Sequence, residues 1–367
     1  MPAHNPTNER IKRQYLSYLK EAKGHSEATV DAVAKALSRF ESDTKFRDFR
    51  SFRHEQAVAF KKRLAEQTSQ KTGERLSKAT MHATLGSLRG FFVWLAGQPG
   101  YKSRLRYSDA SYFSLSEKDT RVATARREKS YPTIEQVRHV IAVMPAGSEI
   151  ERRNRALIAF TLLTGARDSA IASMKLKHVD LAAGSVFQDA RAVKTKFSKT
   201  FTTFFFPVGE DIRVIVADWV IYLRETKLWG NDDPLFPATE MIVGGEQHFE
   251  VAGLKRQHWC GAGPIRDIFR KAFEAAGLPY FNPHSLRNTL VHLAEKSCRT
   301  PEDFKAWSQN LGHEEVLTTF YSYGYVATHR QGEIIHGLGE PRPSERPDTE
   351  AFAEAVARHL RSSGTIP

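Results

Sequence analysis

Three short segments of the chain carry side chains suited to holding an anion and moving a proton. In Leu162-Leu163-Thr164-Gly165-Ala166-Arg167-Asp168, an arginine follows a glycine turn at the end of an apolar helix. In Pro283-His284-Ser285-Leu286-Arg287, a histidine and an arginine stand three apart. At the start of a helix that spacing sets both on one face, aimed at one anion. Leu311-Gly312-His313 supplies another histidine, and Thr318-Thr319-Phe320-Tyr321-Ser322-Tyr323-Gly324-Tyr325 follows with a cluster of tyrosines. Taken singly, each has a plain structural use: Arg167 as an ion pair, His284 as a satisfied structural histidine, the tyrosines as core or surface.

The combination says more than its parts. TGAR, then HSLR, then LGH with a tyrosine about ten residues on, in that order, resembles the tyrosine site-specific recombinase (phage integrase) family. The resemblance implies cutting and rejoining of DNA through a 3′-phosphotyrosine ester. The chemistry of the residues agrees. Breaking a phosphodiester requires stabilising the extra charge of a pentavalent phosphorane, and arginines offer planar, permanently protonated, bidentate donors. A tyrosine hydroxyl titrates near ~10, so it loses a proton as it attacks, and a nearby histidine accepts or positions that proton. A lysine on a mobile loop suits the departing 5′-oxygen. No metal or nucleotide cofactor is required.

Carried over motif by motif, the resemblance makes Arg167 and Arg287 the phosphate-binding pair, His284 the proton-transfer histidine and His313 the second histidine, bonded to the phosphate. The lysine belongs on a hairpin of a small sheet, here Val193-Lys194-Thr195-Lys196-Phe197-Ser198-Lys199-Thr200. The family's Lys-x-x-Lys spacing before a strand ending in proline selects Lys196, with Lys194 and Lys199 as alternatives. Many members place the nucleophile nine residues after the LGH histidine, where this chain has Ser322. The variant with a threonine-rich run places it at ten, which selects Tyr323, with Tyr321 next. The chain also departs from the family just after Arg167. Where a glutamate is frequent three residues on, it has Ala170, and Asp168 is the carboxylate at hand to replace it.

The elements that must position these groups are mostly helical. Apolar residues fall at helical spacing over residues 9–22, 29–40, 54–66 and 77–96, the last stopped by Gly97-Gln98-Pro99-Gly100. Residues 101–130 are polar and aperiodic. Thr133-Ile134-Glu135-Gln136 fits a capping box, and helices are expected near 151–163, 211–226, 264–276, 285–297 and 301–309. Residues 185–187 and 200–206 read as strands. In the tail, Phe352, Val356 and Leu360 make an apolar stripe over 348–361.

The expected fold is therefore mainly α. A helical, core-binding DNA-binding domain (residues 1–115) is followed by a basic linker (116–130). A mostly helical catalytic domain with a small antiparallel β-sheet (131–340) and a tail with a short helix (341–367) complete the chain. The net charge of +12 lies wholly in residues 1–130, with 26 Lys+Arg against 14 Asp+Glu; the remainder balances. Such polarity is the footprint of a polyanion-binding module, or else a solubilising basic surface. The linker either follows a phosphate backbone or is a solvated loop. Two cysteines, Cys260 and Cys298, make no metal spacing or disulfide framework. No secretory signal or membrane span is read, and a cytoplasmic, nucleoid-associated protein is expected. The expected partner is double-stranded DNA, clamped by both domains. By resemblance, a homotetramer acts through a Holliday junction, with accessory DNA-bending proteins possible. Relaxation of supercoils in the manner of a type IB topoisomerase, and a DNA-binding relative that has lost catalysis, are the competing functions.

Overall fold

The computed structural model describes residues 4–69, 73–125, 130–243 and 248–313. Two compact units divide the chain at Arg126/Arg127.

The first unit is a set of capped helices around aromatic rings. Helices α1 (Pro6–Ser17), α2 (Glu27–Asp43), α3 (His54–Glu66) and α4 (Lys78–Ala96) form where the apolar periodicity places them. Asn5, Ser26 and Ser77 cap α1, α2 and α4 by accepting backbone N–H bonds in the first turn. Their inner faces meet on Phe40, Phe49, Phe60, Phe91, Phe92 and Phe113, each at most 2% exposed. Phe40 lies edge-on to Phe60, Phe92 and Phe113, at 5.2–5.5 Å between centroids. Burying each ring stabilises the unit by roughly 1.5–3 kcal/mol. One polar knot is buried with them. Asn8 donates to the Glu41 carboxylate and the Arg47 carbonyl, both at 3.0 Å, and Lys12 closes on Glu41.

The segment expected to be linker contains a helix, α5 (Glu117–Thr124), packed on α4 and belonging to the first unit. Ser116 caps it, and Asp119 pairs with Lys78 at 3.0 Å. None of its residues is buried, so it carries no apolar stripe to be read.

The second unit starts with α6 (Ile134–Val143), under the expected capping box of Thr133 and Gln136. Helix α7 (Glu149–Thr164) follows, opened by a second box from Ser148 and Glu151. Its second half, Ala156–Thr164, is buried on every side, which makes it the axis of the unit's core. Next come the four-residue α8 (Asp168–Ile171) and an antiparallel sheet ordered β1 (Val179–Asp180), β2 (Ser185–Gln188), β3 (Phe201–Phe204). The Phe206 N–H donates to the Leu163 carbonyl at 2.8 Å, tying the exit of β3 to the end of α7. Helix α9 (Glu210–Ile221) packs along α7. Helices α10 (Gly263–Ala275), α11 (Ser285–Ser297) and α12 (Pro301–Asn310) complete the described part.

One element departs from the expectation of a single sheet. A second hairpin, β4 (Ala238–Val243) and β5 (Phe249–Lys255), lies between α9 and α10, with a register shift at Glu240/Met241. Met241, Val243, Phe249 and Val251 are all exposed, so no buried face marks it in the sequence as a sheet. The tail stripe at 348–361 and the tyrosines at 321, 323 and 325 lie outside the described residues. Among the described residues no helix is long and apolar enough to cross a membrane.

Candidate active site

The sequence segments TGAR, HSLR and LGH meet around one guanidinium. Arg287, in the first turn of α11, is 4% exposed. Its Nη1 donates to the Gly165 carbonyl at 2.6 Å, and its Nη2 donates to the Leu311 carbonyl. The same Nη2 lies 3.1 Å from His313 Nε2. A guanidinium only donates, so Nε2 accepts and the neutral ring carries its proton on Nδ1.

Each carbonyl is presented by a helix ending that its sequence dictates. Helix α7 stops at Gly165, whose φ of 59° is left-handed. A Cβ there would stand 3.0 Å from the side chains of Leu290 and Leu311, so the position needs glycine for both conformation and room. Helix α12 stops at Leu311-Gly312. Gly312 has φ of 70°, and a Cβ on it would meet the Phe201 ring at 2.7 Å. Asn310 fastens this ending to β3. Its side chain accepts from the Phe204 N–H at 2.6 Å and donates to the Phe204 carbonyl at 2.9 Å. The Thr203 hydroxyl donates to the Asn310 carbonyl at 3.1 Å. Helix α11 is held at its own base by Thr289, whose hydroxyl donates to the Pro132 carbonyl at 2.6 Å.

Arg167 stands two residues past Gly165, as the N-cap residue of α8, and is half-buried. Among the described residues, no carboxylate pairs with Arg167 or Arg287. Burial lowers the pKa of Arg167. Burial, then the neighbouring charge of Arg167, pulls Arg287 down to about 9. His313 is pushed down to about 4, first by burial and then by Arg287, Arg167, His284 and Lys199. It is therefore neutral at physiological pH. Two clustered cations without a counter-charge are costly to bury unless an anion joins them. His284 is exposed at the N-cap of α11, and its charge is felt at His313.

The expected lysine loop joins β2 to β3. Ser169 donates to the Lys194 carbonyl at 3.3 Å and Ser173 accepts the Lys194 N–H at 2.8 Å, so the residues after Arg167 also anchor this loop. Lys196 is exposed, with Nζ 4.8 Å from the Phe197 ring centroid; Lys199 is 5.8 Å from the same ring and half-buried. Phe197 and Ser198 have φ of 60° and 50°, an uncommon left-handed pair for residues with side chains. Lys199 is among the charges that lower the His313 pKa.

Asp168 does not take the place of the glutamate missing at 170. Its Oδ2 accepts from Arg266 Nε at 2.8 Å, and its Oδ1 from the Ser169 N–H at 2.8 Å. Arg266 belongs to α10, and no sequence spacing connects it to position 168. Asn310 likewise carries no local sequence signal, because its partners lie on an edge strand more than a hundred residues earlier.

The geometry can be set beside known proteins. Residues 132–330 match the model of the phage integrase family, and residues 13–98 match the phage integrase N-terminal SAM-like domain. The tyrosine recombinase XerC of Lactobacillus delbrueckii subsp. bulgaricus is 25% identical over 315 residues, covering 84% of this chain and 92% of that one. A lambda integrase dimer bound to a COC′ core site aligns with a TM-score of 0.59 at 14% identity, covering 87% of this chain and 97% of that one. A lambda integrase tetramer bound to a Holliday junction aligns at 0.57 and 14%, covering 88% and 80%. XerH bound to difH, in a post-cleavage complex, aligns at 0.57 and 18%, covering 90% and 85%.

Proposed function

The chain belongs to the phage integrase family, and from that premise we propose that it is a site-specific DNA recombinase that cuts and rejoins strands through a 3′-phosphotyrosine ester. The observation that carries this reading is the pair Arg167 and Arg287, electrostatic neighbours that are partly or wholly desolvated, with no carboxylate paired to either among the described residues. Such a pair is a seat for a phosphate whose negative charge grows as it becomes five-coordinate.

In the reaction, the Tyr323 oxygen attacks the scissile phosphorus and its proton passes to His284. The bond from phosphorus to the 5′-oxygen breaks, and Lys196 protonates that oxygen. Arg167 and Arg287 hold the non-bridging oxygens. His313, held by Arg287 at Nε2, is the second histidine that hydrogen-bonds the phosphate. A 5′-hydroxyl from a second strand then attacks the ester and restores a phosphodiester, releasing the tyrosine.

The basic first unit, including α5, tracks the DNA backbone and supplies the salt-dependent part of the affinity. Four protomers acting on two sites exchange strands through a Holliday junction. The tail stripe at Phe352, Val356 and Leu360 contacts a neighbouring protomer, so removing residues 341–367 weakens tetramer formation on DNA. The protein works in the cytoplasm, on the nucleoid.

The test is covalent trapping on a nicked suicide duplex, with the sequence selected from a random library by binding to the wild type. A denaturation-resistant adduct lost only in Tyr323→Phe is the expected result. Loss only in Tyr321→Phe moves the nucleophile two residues upstream. Tight binding without an adduct favours a DNA-binding relative that has lost catalysis. Relaxation of plasmids lacking the selected site favours a topoisomerase.

A further inference from the structure

The residue next to Arg167 in the chain, Asp168, is paired with Arg266. Arg167 has no hydrogen-bonding or ionic partner of its own among the described residues. The nearest carboxylate along the chain belongs to Asp168, its immediate neighbour, and a long arginine side chain readily folds back on such a group. In the structure that carboxylate is already occupied. Arg266 Nε donates to Asp168 Oδ2 at 2.8 Å, and Nη2 lies 2.7 Å from the same oxygen.

Arg266 is well placed to do this. It sits in the first turn of α10, whose inner face (Ile265, Phe269, Ala272, Phe273) is at most 6% exposed in the core of the second unit. The backbone that carries Arg266 is therefore fixed, while its own side chain is 56% exposed. A pair this open to water contributes little to folding stability. The pair does fix one orientation of the Asp168 carboxylate, with Oδ2 on Arg266 and Oδ1 on the Ser169 N–H.

We propose that Arg266 is a positioning residue for DNA cleavage. By holding the Asp168 carboxylate towards α10, it prevents Asp168 from neutralising Arg167 and leaves that guanidinium free for the scissile phosphate. The inference rests on the recombinase reading given above. It assigns a task to two residues that the sequence motifs do not connect, and it accounts for a carboxylate placed beside a phosphate-binding arginine.

The experiment measures single-turnover adduct formation and DNA affinity on the selected suicide duplex. The proteins are wild type, Arg266→Ala and the double variant Asp168→Asn/Arg266→Ala. Arg266→Ala is expected to cleave at least about tenfold more slowly, because a displaced or neutralised catalytic donor costs that much or more. Its DNA affinity and melting temperature should stay close to wild type. The double variant should recover most of the lost rate, since no carboxylate remains to capture Arg167. A helix-to-helix strut with no other purpose would not be rescued by removing its second half. Wild-type rates in Arg266→Ala would overturn the inference, as would a double variant no faster than the single one. A parallel loss of DNA affinity would also overturn it, making Arg266 a DNA contact. If the wild type forms no adduct, the recombinase reading falls and this inference falls with it. An adduct formed equally by wild type and Arg266→Ala removes only the inference.

Discussion

Two arginines of the second unit are buried almost equally, yet their surroundings differ in the charge they offer. Arg153 is 3% exposed and Arg287 is 4% exposed. Arg153 donates from Nη1 to the Pro237 carbonyl at 2.9 Å and to Thr239 Oγ1 at 3.0 Å. From Nε and Nη2 it donates to Asn154 Oδ1 at 3.1 and 2.9 Å, and it lies over the Trp259 ring at 5.0 Å. Burial lowers its pKa to about 10, with Glu149 opposing the shift. Arg287 meets two carbonyls and a neutral histidine, with a second arginine as its electrostatic neighbour. The first guanidinium ties the base of α7 to the β4 strand. The second has no carboxylate paired with it among the described residues. Burial alone does not set the two arginines apart; the sign of the neighbouring charge does.

The largest effect that would sharpen this contrast is on cleavage. Arg287→Ala should slow single-turnover adduct formation by about 10²–10³-fold or more, the scale of removing one transition-state donor. Its folding stability should change far less, because the lost contacts are offset by relief of a buried, uncompensated charge.

Arg153→Ala should do the reverse. It strands the Pro237 carbonyl and the polar atoms of Thr239 and Asn154, and it empties the face of Trp259. The cost is on the order of 2–4 kcal/mol of unfolding free energy, read by urea denaturation. Cleavage per folded molecule should stay near wild type. If Arg153→Ala impairs cleavage without destabilising the fold, the contrast is broken.

Gly165→Ala lies between the two. Forcing a side chain into the left-handed region costs about 1–2 kcal/mol, and the new methyl presses on Leu290 and Leu311. The displaced carbonyl loosens Arg287, so both stability and cleavage should fall, each by less than in the corresponding arginine variant.

The smallest effect is on pH dependence. His313 titrates at about 4 in the folded chain, against an ordinary value of 6.5. Between these values the unfolded chain takes up a proton that the folded chain refuses. Stability therefore falls as pH drops from about 6.5 to about 4, and this contribution is flat below. His313→Gln should flatten that part of the curve of unfolding free energy against pH.

Much of this site was legible in the sequence, because its parts are local. Gly165, Arg167, His284, Arg287 and His313 lie in segments whose turns and helix starts can be read from neighbouring residues, and the helical periodicity places most of the elements beneath them. What was not legible is set by distance or by exposure. The partner of Asp168 is 98 residues away. Asn310 acts on the edge of β3, which no local pattern reveals. The β4–β5 hairpin exposes the apolar residues that would mark a buried strand, and α5 buries nothing. The choice among Lys194, Lys196 and Lys199 depends on how a loop with two left-handed residues folds. Exchanging Lys196 and Lys199 singly for alanine, on a substrate with a 5′-thiol leaving group that needs no acid, would identify the lysine whose loss is rescued.

The most direct test of the central claim replaces the scissile phosphate by a neutral methylphosphonate. If Arg287 is held without a counter-charge in order to meet the phosphate's charge, its removal should matter much less when that charge is absent. Adduct formation by Arg287→Ala, relative to wild type, should then rise by at least about tenfold on the methylphosphonate duplex over the ordinary one. An equal loss on both substrates would contradict the account and make Arg287, like Arg153, a residue that holds the fold together.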